Sequence, residues 1–205
     1  MVSINRRRYP FMLSEEEIHQ KLRSTQKERR YFHTLGVVKE AVRLAPKYDV
    51  PVEKAKIAAL LHDCAKNFDE TRFKETAAEY GVTLDEYALK EPALVHAFLG
   101  AAVAYKDYGV TDKEILDAIY YHTTARPNMT NLEKLIYIAD MTEPGRTMPQ
   151  AEEIRRLADE NLDDALIYAI DCSIKHVIKK GRLIHPDSIY ARNYLIERRD
   201  SLSDK

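Results

Sequence analysis

The chain has 205 residues, 45% of them hydrophobic and 32% charged, with a formal net charge of −1. That length and apolar content suffice for a packed domain and exclude a disordered chain. The charge balance provides no overall field for nucleic acid or a membrane surface, so neither is expected as a partner.

The opening "MVSINRRRYPFMLSEEE" carries Arg6, Arg7 and Arg8 but no apolar stretch of the kind a secretory signal needs. Helical periodicity then recurs along the chain, and helices are expected at 15–23, 26–45, 51–66, 70–79, 84–90, 92–107, 112–122, 131–141, 149–160, 163–180 and 187–199. Five of their starts read as capping boxes: Ser14 with Glu17, Thr25 with Glu28, Thr83 with Glu86, Thr111 with Glu114 and Thr130 with Glu133. Pro46 is expected to end or kink the second helix. Gly81, Gly109 and Gly181 stand where a left-handed residue closes a helix. The longest apolar run, Ala97 to Tyr105, contains Gly100 and is too short to cross a bilayer. No segment alternates as a strand would. The fold class is therefore all-α, a single compact helical bundle, with a core over about 25–142 and helices 149–199 packed on it. The two cysteines, Cys64 and Cys172, make no disulfide framework or zinc knuckle, so a reducing, cytoplasmic compartment is expected.

Against this regular background a few residues are awkward. "AALLHDCAKNF" begins as the buried face of a helix and then places His62, Asp63 and Lys66 where packing would prefer leucine. His62 and Lys66 are spaced to share one helical face, as are Arg30 and His33 one helix earlier. His96 follows "EPALV", and His122 ends "EILDAIYYH" ahead of Thr123 and Thr124. Asp140 closes "LEKLIYIAD", where an apolar run desolvates it and the helix C-terminus adds negative potential. A divalent cation would compensate such aspartates and histidines together, and nitrogen with carboxylate donors suits Fe, Mn, Co or Zn better than Ca or Mg. Gly36 and Gly100 interrupt helices near His33 and His96, either for close helix packing or to leave room for a ligand. His19 and His176 have no partners at such spacing, and the basic runs around Lys27, Arg29 and Lys179 read as solvated surface.

The series His33, His62-Asp63 and Asp140, with "LLHDCAK", His96, His122 and "IADMTEPGR", resembles the HD-domain metal-dependent phosphohydrolases, and more narrowly the symmetrical bis(5′-nucleosyl)-tetraphosphatases. The likeness extends from about Arg30 to "RLIHPDSIYARNYL"; Pro46 and residues 1–12 fall outside it. It implies one HD domain over 1–205 that hydrolyses diadenosine tetraphosphate to two ADP with iron as the metal, in a chain that forms a homodimer. It implies His33, His62, Asp63 and Asp140 as metal ligands, with His62, Asp63 and Lys66 at the catalytic centre. Arg30, Lys66, His96, His122, Thr123, Arg146 and His185 correspond to positions that hold the nucleotide. Other HD phosphohydrolases act on deoxynucleotides, monophosphates or guanosine alarmones. The acidic pair of alarmone hydrolases is replaced here by "CAKNFDE", and the GYP segment of cyclic-diguanylate enzymes is absent. A non-catalytic nucleotide sensor on the same fold is the alternative of a different class.

Overall fold

A computed structural model describes residues 12–203; Arg6, Arg7 and Arg8 lie outside them. Among the described residues eleven α-helices follow one another: α1 (Glu15–Thr25), α2 (Glu28–Leu44), α3 (Val52–Leu61), α4 (Phe73–Tyr80), α5 (Glu86–Lys90), α6 (Val95–Tyr108), α7 (Lys113–Tyr121), α8 (Asn131–Thr142), α9 (Pro149–Glu160), α10 (Leu162–Lys179) and α11 (Pro186–Ser203). Among the described residues there is no strand. None of the helices is long and apolar enough to cross a membrane.

The all-α expectation holds, and the reason is visible in α8. Every residue from Leu132 to Ala139 is buried, so this helix has no solvent face and must sit inside the bundle. It packs against α2, α3, α7, α9 and α10, of which α3 is itself buried at every position from Ile57 to Leu61. A continuous core of buried side chains runs from Ile18 on α1 to Leu195 on α11. The central helix thus carries Asp140 to the middle of the molecule, while α2, α3 and α7 bring their own polar residues to the same place.

The boxes at Ser14 and Thr130 form as read, with hydroxyl and Glu carboxylate each satisfying the other's backbone N–H. The other three do not. Thr25 belongs to the last turn of α1 and α2 starts without a side-chain cap, while Asp85 and Asp112 cap α5 and α7 in place of Thr83 and Thr111. A carboxylate next to the helix accepts the free N–H groups better than a hydroxyl one or two residues further out. Pro46 lies in a 3-10 turn, Ala45–Tyr48, directly after α2. Gly81, Gly109 and Gly181 take φ of 70°, 74° and 63°, left-handed values that glycine adopts without steric cost.

Because the Thr130 box fixes the start of the helix that carries Asp140, Thr130→Ala is expected to cost about 1 kcal/mol. Urea unfolding should show a lower midpoint with an unchanged slope.

Candidate active site

Three imidazoles are oriented by one local device. His62 and His122 stand immediately after α3 and α7, and His96 lies in the first turn of α6. Each places Nδ1 on the carbonyl three residues back: His62 on Ala59 at 2.7 Å, His96 on Ala93 at 2.7 Å and His122 on Ile119 at 2.6 Å. A carbonyl accepts only, so Nδ1–H donates and Nε2 keeps its lone pair. His62 also explains why α3 stops early. With the Ala59 carbonyl engaged by the ring, the chain continues in tighter turns, Cys64 N–H to Leu61 at 3.1 Å and Lys66 N–H to Asp63 at 3.0 Å. The helix expected over 51–66 therefore ends at Leu61, and Lys66 is not one helical turn from His62. Its ammonium reaches the same centre by another route, 2.9 and 3.1 Å from the two ring nitrogens of His96.

The lone pairs converge on two carboxylates. His33 Nε2 lies 3.0 Å from Asp140 Oδ1, and His33 and His62 Nε2 lie 3.9 and 3.5 Å from Asp63 Oδ2. On its other oxygen, Asp63 Oδ1 faces His96 Nε2 at 3.2 Å and His122 Nε2 at 3.8 Å, and those two nitrogens are 3.2 Å apart. Two groups of possible ligands result, His33–His62–Asp140 and Asp63–His96–His122, the donor atoms of each within 4.8 Å of one another. Nε2 of His33 and of His62 is buried without a hydrogen-bond partner. Orphaned nitrogen lone pairs beside carboxylate oxygens are the donor set of a divalent transition metal, so the residues present fit such an ion.

Burial pushes His96 down to about 3 and His122 down to about 4, helped by Lys66 beside the first and His62 beside the second, so both rings are neutral at pH 7. His62 goes the other way: burial opposes its charge, but Asp63 outweighs that and raises it. Both aspartates are held below the usual carboxylate range, Asp63 by His62 and Asp140 by His33, each against the opposing effect of burial.

Three cations close the rim. Arg30 donates to Asp63 Oδ2 at 2.6 Å, Arg146 lies 3.3 Å from Asp140 Oδ1, and Lys66 meets His96. They line a groove of about 1240 Å³ along the outer side of α2. Thr123 follows His122 with its hydroxyl buried and unpartnered, in a turn that Ala125 closes at φ 59°. His185 is not brought to the cluster. It pairs with Asp85 at 2.8 Å, edge-on to Tyr87, although Ser188 from the same segment bonds the Thr124 carbonyl at 2.8 Å. His19 bonds the Tyr31 hydroxyl at 2.9 Å, and His176 is exposed on α10.

Sequence reasoning assigned no role to the residues that hold the ligands. Glu143 is 3.2 Å from His33 Nδ1, which fixes that ring with Nε2 inward, and its other oxygen accepts from Gly145 N–H at 2.5 Å. Gly36 is required here, since a Cβ would meet Glu143 Oε2 at 2.5 Å; close packing is why this helix carries a glycine. Arg155 of α9 grips the carbonyls of Thr142, Glu143 and Arg146 at 2.7, 3.0 and 2.6 Å, and Gln26 bonds the Asp63 carbonyl at 3.2 Å. The one signal available was "TEPGR", a glutamate ahead of Pro-Gly directly after the Asp140 helix.

The pattern of the HD domain family matches residues 30–145, which span all six cluster residues. The chain is 41% identical over 172 residues to the symmetrical bis(5′-nucleosyl)-tetraphosphatase of Bacillus subtilis, covering 82% of this chain and 90% of that one. Its counterpart of the same name in Staphylococcus aureus is 37% identical, covering 82% and 87%. Among solved structures, an HD superfamily hydrolase from Clostridium acetobutylicum, described as involved in NAD metabolism, superposes with a TM-score of 0.88 at 45% identity, covering 92% of this chain and all of that one. With its HD doublet on a shared carboxylate-histidine cluster and this degree of likeness, the chain belongs to the HD domain family and, within it, to the symmetrical bis(5′-nucleosyl)-tetraphosphatases.

Proposed function

We propose that this protein hydrolyses diadenosine tetraphosphate at its central anhydride, releasing two ADP. The observation that carries the reading is the two-sided Asp63: four inward imidazole lone pairs and two carboxylates lie beside a groove rimmed by Arg30, Lys66 and Arg146. His33, His62, Asp63 and Asp140 would hold one metal ion, and His96 and His122, with the second oxygen of Asp63, a second. When bound, such ions supply Lewis-acid polarisation of a phosphoryl oxygen and a lowered pKa for water. Iron is the ion the family resemblance implies, and the same donors also suit Mn, Co or Zn.

The chain's own residues account for the rest. Arg30 offers a planar guanidinium for bidentate phosphate contact, and Lys66 a point charge, on opposite sides of Asp63. Arg146 extends the positive rim beyond Asp140. Together these offset charge on the oxygens of the leaving ADP. Thr123 carries a buried hydroxyl with hydrogen bonds to spare, suited to a phosphate or ribose oxygen. His185 and the segment around it, tied to Thr124 through Ser188, would support the nucleoside on that side. The names of the relatives favour this substrate over deoxynucleotides, monophosphates and alarmones. A cytoplasmic setting, with Cys64 and Cys172 both unpaired, and a homodimer complete the reading; light scattering reports the latter.

Incubated with Fe²⁺ or Mn²⁺, the protein is expected to convert diadenosine tetraphosphate to ADP alone, read by anion-exchange chromatography; AMP with ATP would reject the symmetrical cut. His62→Ala should lose bound metal on elemental analysis together with activity, by more than about a hundredfold, since an ion contributes several kcal/mol to such a step. A sensor would keep its biological output after that substitution. Glu143→Gln keeps the shape but frees the His33 tautomer, and metal titration should show affinity reduced by about 10–100-fold.

A further inference from the structure

A symmetrical dinucleotide has two bases, whereas the residues assigned so far offer contacts for phosphates and for one nucleoside. The groove supplies what is missing. Arg29, Phe32, Gly36 and Lys39 recur at spacings of three, four and three along α2, form one face of that helix, and all line the groove. Phe32 is 62% exposed, the most exposed large apolar side chain among the described residues. Burial of an aromatic ring is favourable, and this ring forgoes most of that gain. Phe32 lines the same groove as His33 and Arg30 of the cluster, rather than a remote surface. Lys27, Arg29 and Lys39, on the same groove, make no ion pair among the described residues. A ring flanked by uncommitted cations in a concave wall offers stacking to a flat heterocycle and charge to the phosphates attached to it. The groove, at about 1240 Å³, exceeds the roughly 300–1,000 Å³ that encloses a drug-sized molecule.

We infer that Phe32 is the stacking platform for the purine of the second nucleotide half, with Arg29 and Lys39 flanking that half's phosphates. The inference rests on the dinucleoside tetraphosphatase reading, and it places the two halves of the substrate on opposite sides of the Asp63 cluster. One base lies on the Thr123 side and the other over the outer face of α2. The substrate class that this face selects is a polyphosphate with a base at each end, in preference to one with a bare phosphate terminus.

Two measurements test it. Phe32→Ala should raise the KM for diadenosine tetraphosphate about tenfold or more, as expected for loss of one base-stacking contact. Its kcat should remain within about twofold, and Phe32→Tyr, which retains a ring, should restore KM. The chain has no tryptophan, so Phe32→Trp introduces a single indole reporter. Its fluorescence should be quenched saturably by a methylene-bridged, non-hydrolysable analogue of diadenosine tetraphosphate and not by inorganic tripolyphosphate. An unchanged KM in Phe32→Ala, a KM that Phe32→Tyr does not restore, an unquenched indole at analogue concentrations that calorimetry shows to be saturating, or equal quenching by tripolyphosphate would overturn the assignment. The fluorescence needs no turnover, so it can fail while the wild-type protein still yields ADP, and it can succeed where the products contradict the symmetrical cut.

Discussion

An imidazole that donates Nδ1–H to a carbonyl has only a lone pair left to offer at Nε2. In this protein His62, His96 and His122 are all fixed in that state by carbonyls three residues behind them, and Glu143 fixes His33 in the same way. Their Nε2 atoms then face two ionised carboxylates, and in the neutral rings of His96 and His122 this sets acceptor against acceptor. Such an assembly is stable only if positive charge enters it. The bundle around it can be understood as a means of holding this mismatch in place.

The helices deepen the demand before they meet it. His62 and His122 cap C-terminal ends and Asp140 occupies the last turn of α8, so three negative helix ends point at one small volume. Part of the answer is built in. Arg30 and Arg146 each bond an aspartate of the cluster, and Arg155 neutralises the C-terminal carbonyls of α8 and the loop beyond. His62 belongs to the same balance: burial opposes a charge on the ring, and Asp63 beside it outweighs burial and raises its pKa. A divalent ion held here would take imidazoles in their deprotonated form, so its affinity would fall with falling pH.

How much of this was legible in the sequence follows from what each feature depends on. Helix positions depend on local periodicity and were readable to within a few residues, apart from the true end of α3 at Leu61, where a side chain captures a carbonyl that the pattern assigns to the helix. Capping was readable at Ser14 and Thr130, and misread where an aspartate stood closer, at Asp85 and Asp112, and at Thr25, which the preceding helix takes into its last turn. The polar residues on apolar helices were conspicuous because burial would penalise them. Glu143, Gln26 and Arg155 gave no such warning. Each is an ordinary polar residue in its own segment and acquires its role from partners between 9 and 110 residues away. Apart from the glutamate ahead of Pro-Gly in "TEPGR", tertiary partnership of that kind leaves no local trace.

The cations that stabilise the cluster are also those that face the groove. Arg30, Lys66 and Arg146 bond Asp63, His96 and Asp140 respectively, and all three line the cavity where a polyphosphate would lie. Stability of the centre and attraction for substrate are therefore not independent properties of this fold. A neutral rim would leave the buried Asp63 and the partly buried Asp140 less well compensated as well as weakening phosphate binding. Phe32, Arg29 and Lys39 carry no such double duty, because they have no bond to the cluster. That separation lets the outer face of α2 vary in what it recognises while the centre that it adjoins stays fixed.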